Sequence, residues 1–116
     1  MSDLGPEHSK PGHGRLNGLI YCCIFGKLQQ VARDNGYSLC VHGSMDRDFD
    51  LVAIPWTDEA VDPVELIHVA FVDALRPDSV SEVELKPHGR LAWFLCVGSG
   101  LGVDISVMPR KEKQNT

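Results

Sequence analysis

The chain has 116 residues, 43% of them hydrophobic, which suits one domain with a real apolar core and excludes a disordered or fibrous chain. Its formal charge of -5, from 16 Asp and Glu against 11 Lys and Arg, argues against a broad basic surface that grips nucleic acid. No apolar run is long enough to span a bilayer, and the start is polar and rich in Gly and Pro rather than built like a signal peptide. These features predict a cytoplasmic protein with no membrane partner.

Residues 1–14 hold Gly5, Pro6, Pro11, Gly12 and Gly14 with almost nothing apolar, and read as a flexible tail whose His8 and His13 are solvated. A helix is predicted over 16–34, where Leu16, Leu19, Ile20, Cys23, Ile24, Leu28, Val31 and Ala32 recur at three- and four-residue steps. Asn35-Gly36 suits its left-handed end. Tyr37 to His42 and Asp48 to Ile54 read as two strands of an antiparallel hairpin. Asp62-Pro63-Val64-Glu65 is a helix start, with a capping Asp, Pro at the first position and a Glu placed to return the hydrogen bond. Its apolar face runs through Ile67, Ala70, Phe71 and Ala74, and Pro77 limits it at about Arg76.

Three further strands are predicted. Glu82 to Lys86 alternates Val83 and Leu85 with charge, as an edge strand does. Arg90 to Val97 and Val103 to Met108 follow, separated by a flexible Gly98–Gly102 turn. The sum is an α+β, two-layer domain over 15–110, with a mixed, largely antiparallel five-stranded sheet and both helices on one face. Residues 111–116 form a polar tail. The four cysteines, Cys22, Cys23, Cys40 and Cys96, make no C-x-x-C pair and read as buried free thiols in a reducing compartment, not as a zinc site.

Strand alternation locates the chemistry. Asp48 and Asp50 point one way while Phe49, Leu51 and Ala53 point the other; Asp104 and Ser106 oppose Val103, Ile105 and Val107. If both apolar sets face the helices, Asp48, Asp50 and Asp104 meet on the uncovered face. Carboxylates packed together repel unless a proton or cation intervenes. Hard oxygen donors of this kind favour Mg²⁺ or Mn²⁺ and suit two-metal phosphoryl transfer. Gly43-Ser44, just before the pair, lets backbone amides and a hydroxyl approach a phosphate. Arg47 can contact phosphate or pair with a carboxylate. Lys86, His88 and Arg90 surround a turn that can make an anion-binding corner. His42 and His68 read as structural, and Trp56 and Trp93 as core or interface residues.

His42-Gly43-Ser44, then Asp48-Phe49-Asp50-Leu51, then Val103-Asp104-Ile105 resemble the nucleotidyltransferase fold of the DNA polymerase β superfamily. The strings Arg47–Trp56, Lys86–Trp93 and Asp104–Arg110 are similar to those of small nucleotidyltransferase-like proteins of bacteriophages. The resemblance covers roughly residues 16–110. It implies phosphate-binding roles for Gly43 and Ser44, and roles as Mg²⁺ or Mn²⁺ ligands for Asp48, Asp50 and Asp104. It further implies transfer of a nucleoside monophosphate from a nucleoside triphosphate to an acceptor, with Asp104 helping to activate the acceptor hydroxyl. One departure stands out: only Met45, Asp46 and Arg47 separate the Gly-Ser turn from the D-x-D strand, where the superfamily places a longer segment. The chain is also too short for the second domain that commonly holds the acceptor. A protein partner or second subunit that completes the site is one reading of these departures. A nucleotide-binding or host-protein-binding factor without turnover is another, and an antitoxin-like enzyme acting on a partner protein is a third.

Overall fold

The computed structural model describes residues 13–43, 48–98 and 100–110, with 13–17 as helical backbone only. Helix α1 (His13–Asp34) leads into β1 (Tyr37–His42) and β2 (Asp48–Pro55). Helix α2 runs through Pro63–Glu65, a π-helical stretch Leu66–Phe71, and Val72–Leu75. Then come β3 (Ser79–Val80), β4 (Glu84–Leu85), a 3₁₀ turn Pro87–Gly89, β5 (Leu91–Gly98) and β6 (Leu101–Val107). The sheet order is β1-β2-β6-β5-β3, with β4 also on β5. Among the described residues β2 and β6 pair in parallel and every other pair is antiparallel. The α+β class and the mixed, mostly antiparallel sheet therefore agree with expectation.

The core lies between the helices and one face of the sheet. Tyr21, Leu28, Ala32, Leu66, Ile67 and Phe71 from the helices pack with Phe49, Leu51, Ala53, Trp93, Leu95, Val103, Ile105 and Val107 from the strands. Every strand residue in that set is odd-numbered, which is the period-2 signature of a sheet with one covered face. Asp62 caps α2, accepting the Val64 N–H at 2.9 Å, and Arg76 ends it in the left-handed region (φ 52°) just before Pro77. Gly36 ends α1 with φ +90°, and a Cβ there would fall 2.5 Å from Ala60 Cα, so only glycine fits this tight cap.

Several expectations are corrected. The inner face of α1 is carried by Tyr21, Phe25, Leu28 and Ala32, while Leu19 is 61% exposed and Cys23 is also outside. Cys22 and Cys40 are exposed as well and Cys96 is half-buried, so the thiols are free but not buried. Residues 22 and 23 point away from the sheet, and Cys40 lies on its uncovered face. Of the two tryptophans expected in the core or at an interface, Trp93 is a core residue, and Trp56 is exposed, which excludes the core for it. His68 is exposed with its ring edge-on to Trp93, centroids 6.1 Å apart.

The predicted edge strand is two short pieces. Ser81 explains the break: its N–H donates to Phe94 O, and its Oγ accepts the Phe94 N–H, each at 2.8 Å. The hydroxyl stands in for a backbone carbonyl, so residues 82 and 83 leave the ladder without orphaning β5. The turn between β5 and β6 is tighter than predicted, with Gly98 paired to Leu101. Residues 1–12, 44–47, 99 and 111–116 lie outside the described residues, and with them the hairpin connection, the 111–116 tail and the first tail up to Gly12. His13 and Gly14, expected in that tail, instead begin α1, three residues ahead of the predicted start. Among the described residues no helix is long and apolar enough to cross a membrane.

Candidate functional site

The aspartates come together through the parallel β2–β6 pair. Asp50 and Asp104 are direct Cα partners, and Asp48 is opposite Gly102. Neighbouring strands lie about 4.8 Å apart, and the next same-face position along a strand is about 6.6 Å away. Asp48, Asp50 and Asp104 therefore share the uncovered face near the start of both strands. Asp48 is exposed, and Asp50 and Asp104 are half-buried. On either flank, His42 is the Cα partner of Asp50 and Phe94 that of Asp104.

Electrostatics mark the same spot. Burial pushes the Asp104 carboxyl above its ordinary value, and the Asp50 charge pushes it further in the same direction; Lys86 opposes, and Asp48 and Glu84 add smaller upward effects. A carboxylate surrounded in this way gains from a proton or a cation. Lys86 belongs here because Glu84 and Lys86 both point to the uncovered face by alternation, and the two form an ion pair at 3.4 Å.

Gly43 forms the near wall. Its φ is +87°, and a Cβ there would stand 2.5 Å from Asp50 Oδ2. The backbone thus lies directly against the Asp50 carboxylate, an approach that only glycine allows. Gly43→Ala is expected to cost about 1–2 kcal/mol from left-handed strain and to displace the Asp50 side chain. Urea melts of the two proteins in EDTA check this; an unchanged midpoint would show that the close approach carries no cost.

From below, Tyr21 supports the start of β6. Its hydroxyl accepts the Gly102 N–H at 3.1 Å, and its ring stacks on Phe49 at 4.8 Å. Burial raises its pKa, the Gly102 hydrogen bond offsets part of this, and the charges of Asp48 and Asp50 raise it further. Above, the Phe94 ring lies over Gly102 and fills the place a side chain there would take. Sequence reasoning missed Tyr21 and Phe94. Tyr21 was open to detection, because 21, 25, 28 and 32 form a helical stripe; the Phe94–Gly102 contact depends on strand register.

The other candidates divide. Ser44 and Arg47 lie outside the described residues. His88 and Arg90 sit at the far end of β5: Arg90 is four residues from Phe94, about 13 Å along the strand, so they do not join the aspartates. The Arg90 Nε–H turns back to donate to Pro87 O at 3.3 Å. Lys86 starts from the same level, its N–H donating to Arg90 O at 2.8 Å, but its ammonium turns to Glu84 and its charge acts on Asp104, so the Lys86–His88–Arg90 corner divides by side-chain direction.

The donor chemistry fits a divalent cation: hard oxygens, and more negative charge than Lys86 offsets. The fit is strongest at the Asp50–Asp104 pair. Among the described residues, no group of three His, Cys, Asp or Glu side chains is gathered closely enough to hold a metal ion as a set. No family model, curated protein or solved structure matches the chain.

Proposed function

We propose that this chain is a metal-dependent nucleotidyltransferase-like protein that binds a nucleoside triphosphate on the uncovered face of its sheet and passes the nucleoside monophosphate to an acceptor. The observation that carries the reading is the Asp50–Asp104 pairing on that face, with the Gly43 backbone packed against Asp50. Asp48 and Asp50 would hold Mg²⁺ or Mn²⁺ together with Asp104. Bound there, the ion would neutralise phosphate charge and polarise the reacting phosphorus. Asp104, whose proton affinity is raised, suits a group that accepts the proton of an acceptor hydroxyl. Gly43, whose side-chain position the Asp50 carboxylate fills, would meet a phosphate through its backbone N–H, and the Lys86 charge, which acts on Asp104, would offset part of the phosphate charge. The resemblance to bacteriophage nucleotidyltransferase-like proteins points the same way.

A second reading is a nucleotide-binding or host-protein-binding factor without turnover on the same scaffold. It is favoured by the three-residue spacing between Ser44 and Asp48 and by the lack of a gathered three-ligand set among the described residues.

Calorimetric titration with a non-hydrolysable triphosphate, with Mn²⁺ and with EDTA, tests the common ground. Binding is expected only with Mn²⁺; equal affinity in both, or none in either, would sink the proposal. Pyrophosphate release from labelled triphosphates then separates enzyme from binder.

A further inference from the structure

The two edges of the sheet are built differently. At the β3/β4 edge the strands are two residues each, broken at Ser81, and followed or flanked by Glu82, Glu84 and Lys86. Short, interrupted and charged edges resist pairing with other chains. At the β1 edge a six-residue strand, Tyr-Ser-Leu-Cys-Val-His, carries no charged residue and no proline.

The backbone of β1 shows which groups face outward. Trp56 N–H donates to Gly36 O at 3.0 Å, so 36 and 56 are a hydrogen-bonded pair. Antiparallel alternation then makes Ser38–Ile54, Cys40–Val52 and His42–Asp50 the bonded pairs of β1 and β2. On the other side of β2, Ala53 O accepts Met108 N–H, which agrees. Tyr37, Leu39 and Val41 therefore direct their N–H and C=O groups to the free edge. No backbone bond to these outward groups occurs among the described residues.

The helix above leaves room. Ile20, Ile24 and Lys27 of α1 border a cavity shared with α2 and the β5–β6 hairpin. At about 100° per residue, Gly18, Cys22 and Gly26 fall toward the opposite flank, over the β1 edge. Gly18 and Gly26 have open space where a side chain would stand, and Cys22 is exposed. Two copies with a charge of -5 each repel over most of their surfaces, but β1 and the Gly18–Gly26 strip of α1 carry no Asp, Glu, Lys or Arg on that side, Arg33 lying beyond the strip in the last turn of the helix.

We infer that the β1 edge pairs antiparallel with the β1 edge of a second copy, with Leu39 opposite Leu39 on the two-fold axis. The Tyr37, Leu39 and Val41 backbone groups then complete a ladder, and the two sheets become one. In this register Ser38 of each copy faces Cys40 of the other at a non-hydrogen-bonded position, with Cα atoms about 4.5 Å apart, close enough for a disulfide.

Sedimentation equilibrium of the full chain, from micromolar to millimolar, is expected to reach twice the 12.8 kDa of one chain. Val41→Pro removes an outward N–H without touching the β2 ladder, and Cys40→Lys places a charge on the edge. Each is expected to weaken the dimer at least about tenfold. Where Val41→Pro fails to fold, Cys40→Lys decides. Register is read in a Cys22→Ser, Cys23→Ser background: adding Ser38→Cys is expected to give an oxidised, covalent dimer, and adding Cys40→Ser as well to abolish it. A chain that stays monomeric overturns the inference, whether residues before His13 or another protein then cover the edge. So does a dimer that Cys40→Lys leaves intact, or one that Ser38→Cys does not cross-link. None of these readouts depends on nucleotide or metal, so the inference and the proposed function fail separately.

Discussion

Asp50→Asn is expected to weaken Mn²⁺-dependent triphosphate binding by roughly a hundredfold or more, ~3 kcal/mol at 1.4 kcal/mol per tenfold, while making the metal-free chain more stable. The two effects share one cause. Asp50 and Asp104 are direct partners across the β2–β6 pair, so in the absence of a cation their charges oppose folding. The sign follows from the Asp104 shift. Its folded-state pKa lies above the ordinary 3.8, through burial first and Asp50 second, so the folded chain holds that proton more tightly than the unfolded chain does. The resulting penalty is absent below about pH 3.8, grows as the pH rises toward the raised value, and is complete above it. Removing the Asp50 charge relieves part of it at neutral pH. Because the face is open to solvent, the gain is only about 0.2–1 kcal/mol, or about 1–5 °C in Tm. Thermal melts in EDTA at neutral and acid pH should show the gain at neutral pH and its loss in acid. A destabilised mutant at neutral pH would mean that Asp50 is held by a favourable partner instead.

Phe49→Ala is expected to remove about 3–5 kcal/mol, a large share of the 5–15 kcal/mol typical of a folded domain. Phe49 is fully buried in a strand with neighbours on both sides. It stacks on Tyr21 and meets Phe25 edge-on at 5.9 Å; aromatic pairs add about 0.5–1.5 kcal/mol beyond burial. The loss has a functional side, because Phe49 holds the ring whose hydroxyl accepts the Gly102 N–H beneath the aspartates. Urea unfolding should show a lower midpoint with an unchanged slope, and Phe49→Leu should recover much of the difference. A loss under about 1 kcal/mol would remove the aromatic stack as the support of the site.

The aspartate face was legible because two independent alternations agree. Positions 49, 51 and 53 and positions 103, 105 and 107 are apolar, and period 2 leaves Asp48, Asp50 and Asp104 no other face. The phase of α1 was not legible. From Leu16 to Phe25 the helix is apolar nearly all round, so Leu19 and Cys23 fit the periodic pattern as well as Tyr21 and Phe25 do, and contact with Phe49 decides. The same ambiguity put the exposed Cys22 and Cys23 in the core. The break in the edge strand depends on one serine hydroxyl bonding Phe94, which no periodicity reports. Lys86 and Arg90 are backbone neighbours whose side chains part, Lys86 toward Glu84 and Arg90 toward Pro87, a matter of side-chain direction that no spacing reports. The π-helical turn at Leu66–Phe71 has no signature in the apolar spacing of α2.

The proposed divalent-cation site centres on the Asp50–Asp104 pair of the uncovered face, with Asp48 beside it. Its most direct test is the paramagnetic broadening of backbone amide signals as Mn²⁺ is added to the labelled protein. The expected result is broadening at the start of β2 and β6 and in the facing part of β5 at low Mn²⁺, abolished by Asp50→Asn. Broadening elsewhere first, or spread evenly over the acidic surface and unchanged in Asp50→Asn, would contradict it.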